Sequence, residues 1–348
     1  MQPYEPPQHG MRTFVIVWIT QSVSVLGSGL TFFALAVWLT QVKYPLASQK
    51  PELAFALAVI SVASGAPAIF AAPIAGAWAD RHDRKRTMMA MDAVSGLLDL
   101  ALLGLIVSHV LQLWILAVIL VFAGTASAFH SASFDTSYAM LVPEKQLPRA
   151  NGMMQTIFSL AGIVTPALAA TLIALPVLAR QGTIGGIVGA TLKRFTDGTP
   201  LAIGIDTLTF FMAATVPFFL AIPTPARMDR TEDGKLQTSL WTDVRFGVRY
   251  IWHRRPLLWL LGTFTVSNFA VGALVLDALL VRFNLHPDWS ARGFIFATAY
   301  AVLTSAAGVG GVLGGIFIST WGGLKRRRVY GILATLIVAG LAFIAFGL

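Results

Sequence analysis

The chain has 348 residues, of which 56% are apolar and only 12% charged, whereas a soluble domain carries roughly 25% charged residues. With a mean hydropathy of +0.73 it reads as an all-α polytopic membrane protein whose first partner is the lipid bilayer. The absence of cysteine excludes a disulfide scaffold, thiolate catalysis and cysteine metal sites. The net charge of +9 does not signal a nucleic-acid partner, because the basic residues sit in short loops between apolar spans.

Nine apolar runs reach the roughly 20 residues that a membrane helix requires: residues 14–40, 53–78, 88–108, 112–139, 152–178, 201–222, 257–282, 293–319 and 329–348. The first is too long for a signal-peptide core and is read as a retained helix. No Lys or Arg lies deep in a span. With the N-terminus in the cytoplasm, eighteen of the 25 basic residues fall on the inner side; the outer side holds Lys43, Lys50, Arg180, Lys193, Arg194, Arg282 and Arg292. The excess of Lys and Arg on inner loops predicts that orientation. The outer loop at residues 180–200 carries no recognisable chemistry.

The longest polar interruption, residues 223–256, separates six spans from three. The expected organisation is a six-helix bundle (1–222), a cytoplasmic linker (223–256) and three helices of a second bundle (257–348). Within the linker, Leu240, Trp241, Val244, Val248, Ile251 and Trp252 recur at helical spacing, while Asp243, Arg245 and Arg249 lie off that stripe. Such a helix lies in the membrane interface, or else it extends the seventh span.

The loop after the second span reads Gly76-Ala77-Trp78-Ala79-Asp80-Arg81-His82-Asp83-Arg84-Lys85-Arg86. A generic membrane loop needs only some basic residues. This one adds a small residue in the last helical turn, where a neighbour can approach closely, and an acid suited to a helix N-terminus. The run resembles the signature between helices two and three of the major facilitator superfamily. It departs at Asp83, where the general pattern has Gly. The form Asp80-Arg81-x-Asp83-Arg84-Lys85-Arg86 resembles the branch of bacterial drug, macrolide and siderophore exporters. Three more runs resemble that branch: Trp18, Gln21, Ser24 and Gly27 in the first span; Leu141-Val142-Pro143-Glu144 with the following Gln146-Leu147, Arg149, Ala150, Asn151 and Gly152; and Ile205-Asp206 with Thr209-Phe210. Residues 12–345 carry the resemblance, most strongly before residue 215.

In the fifth span, Gly162, Thr165, Pro166, Ala169 and Ala170 resemble the glycine-rich antiporter motif of the superfamily's exporters, with Thr165, Ala169 and Ala170 in place of glycines. Close packing survives and Pro166 can kink the helix. Residues 315–328 follow the eighth span as 76–86 follow the second, a weak internal repeat without the acid. The resemblance implies twelve helices, six per half, in a bacterial inner membrane. Nine runs fall three short, so the expectation is a piece of a longer protein, the alternative being a shortened chain that needs a partner.

Ionisable residues inside a span are costly and mark function. Five acids qualify. Asp92 and Asp99 share one face of the third span; Asp99 is central, and either carries a proton or is a neutral, hydrogen-bonded carboxyl. Asp92 is hydrated or pairs with the loop arginines, and is the second candidate, beside Asp99, for the coupling proton. Asp135 is expected to pair with Arg81 or Arg84 and to join Gly76, Asp80, Asp83, Lys85 and Arg86 as a gate. Asp206 reads as packing or capping, and Asp277 and Gln21 as candidates for a substrate cavity. His130 reads as a hydrogen-bonded histidine. Gly308, Gly310, Gly311, Gly314 and Gly315 are not a phosphate loop, because no Gly-Lys-Ser/Thr follows. No ATP site, metal-ligand spacing or nucleophile–base pair appears. The sequence therefore predicts no cofactor, no metal and no enzyme. It predicts a secondary transporter exporting small amphiphilic compounds in exchange for protons. The alternatives are a siderophore or other porter on the same scaffold and a transport-inactive fragment or partner subunit.

Overall fold

The computed structural model describes residues 7, 9–222, 240–321 and 328–347. The described residues form thirteen α-helices joined by short turns. The first half comprises α1 (Gly10–Trp38), α2 (Lys50–Arg81), α3 (Arg84–Val107), α4 (Leu113–Leu141), α5 (Leu147–Arg180), a short α6 (Gly186–Leu192) and α7 (Thr199–Thr215). Then come α8 (Leu240–Trp252), α9 (Arg255–Gly272), single turns α10 (Asp277–Leu279) and α11 (His286–Ala291), α12 (Phe296–Trp321) and α13 (Arg328–Gly347). Eight segments among the described residues are long and apolar enough to span a membrane. The ninth expected run forms α13, with an apolar stretch at Leu333–Ala342. Residues 223–239 of the expected linker, and Lys325, Arg326 and Arg327 of the second loop copy, lie outside the described residues.

Prolines set several helix ends. Pro217 cannot donate its N–H to the ladder, and α7 gives way to a 3-10 turn at Val216–Phe219. Pro256 sits in the first turn of α9, where that missing donor is tolerated. The chain breaks at His253 and Arg254, so the amphipathic segment is a separate helix, α8, rather than an extension of α9. Its Trp241, Phe246 and Trp252 are exposed, and the Arg254 guanidinium stacks on Tyr250 at 4.1 Å. The seventh expected span is not one regular helix: it passes from α9 through a 3-10 turn and α10 into a π turn at Leu280–Asn284.

The apolar core has two parts at opposite ends of the bundle. At the end bearing the basic loop, Phe14, Val17, Met88, Phe134, Leu141, Val142, Ala150 and Ile222 pack together, all from the first half. At the far end a larger core joins first-half residues such as Leu35, Leu57 and Ile203 to Ala278, Val281, Phe296 and Ala301. Polar contacts tie the halves at that same end. Ser61 Oγ donates to Gly272 O at 3.1 Å, Arg282 Nη2 to Pro45 O at 3.2 Å, and Phe33 stacks on Tyr300 at 4.9 Å. Toward the basic loop, Trp259 and Phe264 of α9 and Leu313 and Phe317 of α12 are exposed. The halves thus meet at the far end.

Helix α5 makes the closest approach to the second half. Ser305 Oγ donates to Ile163 O at 2.9 Å. A Cβ added at Gly308 would lie 2.6 Å from the Gly162 carbonyl carbon. Pro166 has no N–H for the Gly162 carbonyl four residues back, which leaves room there for α12. Thr165, Ala169 and Ala170 are buried, and Thr165 meets Gly29 of α1. The small residues of this motif therefore serve contacts with α1 and α12.

Candidate functional site

The loop residues divide their work. Asp83 caps α3: its Oδ1 accepts from Arg86 N at 3.1 Å, satisfying a free helix N–H. This accounts for an acid where the related signature has Gly. Lys85 Nζ donates to the carbonyls of Phe218 and Leu220, past the end of α7, at 3.0 and 2.8 Å. Arg84 is buried and donates to Ala79 O at 3.0 Å and Thr136 O at 3.1 Å. It thereby staples α2, α3 and α4. Asp80 stands 3.7 Å from Arg84 but is 72% exposed, so that pair contributes about 1 kcal/mol or less.

The structure differs from two expectations for charged partners. Of the two partners expected for Asp135, Arg81 and Arg84, Arg84 reaches the Thr136 carbonyl instead. Asp92 does not reach back to the loop: Gln21 Nε2 donates to its Oδ2 at 3.1 Å, and His130 Nε2 stands 3.4 Å from its Oδ1. The His130 contact is an ion-pair distance without linear hydrogen-bond geometry, and Nε2 has no other partner. Asp277 is absent from the cavity described below and interacts electrostatically with Tyr300 near the far end.

Asp99 meets Asp206 of α7, a residue read from the sequence as packing or capping. The two carboxyls contact one another directly. Asp206 is 1% exposed and Asp99 7%. Ser28 Oγ and Thr209 Oγ1 each stand 3.4 Å from Asp206 Oδ1. Asp99 Oδ2 receives no donor. Gly27 makes this possible: a Cβ there would lie 2.7 Å from Asp206 Oδ1 and 2.4 Å from Thr209 Oγ1. Two of the signature runs, far apart in sequence, thus meet at one point. Gly27→Val should destabilise the protein by about 1–3 kcal/mol through overpacking, read as a lowered unfolding temperature in detergent; an unchanged temperature would contradict the close approach.

These acids line one cavity of about 500 Å³. Its walls come from α1, α2, α3, α4, α5 and α7. It contains Asp92, Asp99, Asp135, Asp206 and His130, and no Lys or Arg among the described residues. Trp18, Phe32, Phe134, Phe158 and Phe210 supply aromatic surface. Gln21 belongs to this wall. His130 and Asp206 were not singled out as site residues from the sequence.

Comparison with known proteins agrees with this architecture. The chain is 30% identical over 159 residues to macrolide efflux protein A of Streptococcus pyogenes, covering 46% of this chain and 37% of that protein. It is 23% identical over 304 residues to the uncharacterized MFS-type transporter YkuC of Bacillus subtilis, covering 85% and 63%. The chain thus spans only part of the length of the relatives it matches. In structure it resembles a bacterial homolog of the human lysosomal transporter Spinster, solved inward-facing and unoccupied. That likeness has a TM-score of 0.58 at 16% identity and covers 92% of this chain and 64% of that one. The family model for the Major Facilitator Superfamily matches residues 17–348, and the chain therefore belongs to that superfamily.

Proposed function

We propose that the protein is a secondary transporter, not an enzyme, which exports small amphiphilic cations across a bacterial inner membrane in exchange for protons. It does so by alternating access between a first bundle (1–222) and a second (from 257), joined by a cytoplasmic linker. The observation that carries this reading is the cavity itself: four carboxyls, one imidazole and five aromatic rings without a fixed positive charge. An organic cation finds opposite charge and ring faces there. A siderophore-like anion meets repulsion in a low-dielectric site. The relation to macrolide efflux proteins supports export. With the N-terminus inside, the loop end is cytoplasmic. Energy then comes from an ion gradient, worth about 2.3 kcal/mol per charge per 100 mV.

The test is exchange in proteoliposomes loaded with either ethidium or 2,3-dihydroxybenzoate. Counterflow of ethidium alone is expected. Counterflow of the anion alone would overturn the assignment of substrate charge.

A further inference from the structure

Along α3, Asp92 and Asp99 lie seven residues apart, a rise of about 10 Å. Their surroundings differ in kind. Asp92 has a donor on Gln21 and the His130 imidazole 3.4 Å away, with Asp135 on the same wall. Asp99 has neither. Its Oδ2 is buried without a donor, and its neighbour is a second carboxyl. The Thr31 hydroxyl, 7% exposed and also without a satisfactory partner, lines the same pocket.

Two carboxyls in contact need a proton between them, since two buried anions at that range repel strongly. The local donors decide which oxygen accepts. Ser28 directs its hydroxyl toward the Asp206 carboxyl at 3.4 Å, while the Thr209 hydroxyl goes to the Asp206 backbone carbonyl at 2.8 Å; no donor serves Asp99 Oδ2. Asp206 is therefore the better-solvated anion, and the O–H belongs to Asp99. Few other groups compete. Helix α1 faces the pair with Gly27, Ser28 and Thr31, none of which titrates. Helix α7 contributes Asp206 and the non-titrating Phe210 to the cavity wall, and α5 contributes only Met154, Ile157 and Phe158. The nearest titratable groups on α4, His130 and Asp135, and Asp92 on α3 itself, belong to the other cluster.

We propose that Asp99 and Asp206 form a dedicated proton site, separate from the Asp92–His130–Asp135 cluster that receives the substrate's positive charge. The inference rests on the proton-exchange reading and goes further, in that proton and substrate do not compete for one carboxylate. Substrate binding at the Asp92 end releases the Asp99 proton to cavity water, leaving two adjacent anions that push α3 and α7 apart. Coupling then passes along α3.

The experiment counts protons released per tetraphenylphosphonium bound by the purified protein in weakly buffered detergent solution. The unaltered protein should release about one, as linkage between two sites requires. Asp206→Asn, and independently the isosteric Asp99→Asn, should release none per cation bound. Asp92→Asn should weaken tetraphenylphosphonium binding about tenfold, for one lost charged contact, while the ratio stays near one. A ratio near one in Asp206→Asn, or its loss in Asp92→Asn, would overturn the separate proton site. Binding by the unaltered protein with no proton released would instead overturn the proton-exchange reading itself.

Discussion

Asp99→Asn should abolish uphill efflux while the protein still folds and still equilibrates substrate downhill. Asn matches Asp in shape and can still donate to the Asp206 carboxylate, so the contact between α3 and α7 survives. What disappears is a group that can lose a proton. A carrier locked in its proton-loaded form can exchange substrate but cannot harvest a gradient. The check is ethidium efflux from energised cells alongside counterflow in de-energised vesicles. Loss of the first with retention of the second is expected. Wild-type efflux in the variant would remove Asp99 from the coupling path.

Arg84→Ala should cost about 3 kcal/mol of stability, the range for losing charge-assisted hydrogen bonds from a buried donor and leaving their acceptors unmet. Its guanidinium joins three helices through the Ala79 and Thr136 carbonyls. The Ala79 carbonyl has no obvious substitute donor, because it lies in the last turn of α2, three residues before the end cap at His82, whereas the Thr136 carbonyl lies inside α4 and keeps its place in the helical ladder. The exposed Asp80 is different. Asp80→Asn should change stability by less than about 1 kcal/mol. An effect of that change on transport would then report a contact made only when the loop end closes. Thermal unfolding of both variants in detergent, beside their efflux, separates the two roles. Equal destabilisation would show that the Arg84–Asp80 pair, rather than the carbonyl contacts, holds the loop.

Much of the fold is legible because the membrane simplifies it. Runs of about 20 apolar residues announce spans, and the distribution of Lys and Arg suggests an orientation. The loop signature is local, so its resemblance could be read directly. Contacts between distant spans could not. Asp92 was expected to be hydrated or to pair with the loop arginines, yet it lies eight residues beyond Arg84, about 12 Å along the helix, and its face looks toward α1 and α4. Arg84 passes Asp135 for the carbonyl of the next residue. In a helix each residue turns about 100°, so one position decides whether a carboxyl points at the loop or into the cavity.

Asp206 was misread for a related reason. Its partner is on another helix, and nothing local distinguishes a capping acid from a paired one. A signal did exist. Gly27 sits in one signature run, and Asp206 and Thr209 sit three apart on one face of another. A glycine facing a polar pair is a mark of close helix approach. His130 had the same difficulty: its relation to Asp92 exists only once α3 and α4 pack together. The irregular turns between α9 and α11 were hidden because hydropathy measures apolarity and not backbone geometry.

The most direct test of the account is substrate-induced proton movement in everted membrane vesicles. Vesicles carrying the protein are energised to an acid interior, followed by a quenched acridine dye, and then given ethidium. The account predicts that ethidium is taken up and the dye dequenches as protons leave, with both changes lost in Asp99→Asn. Ethidium uptake that persists unchanged after nigericin and an uncoupler have dissipated the gradient would contradict it.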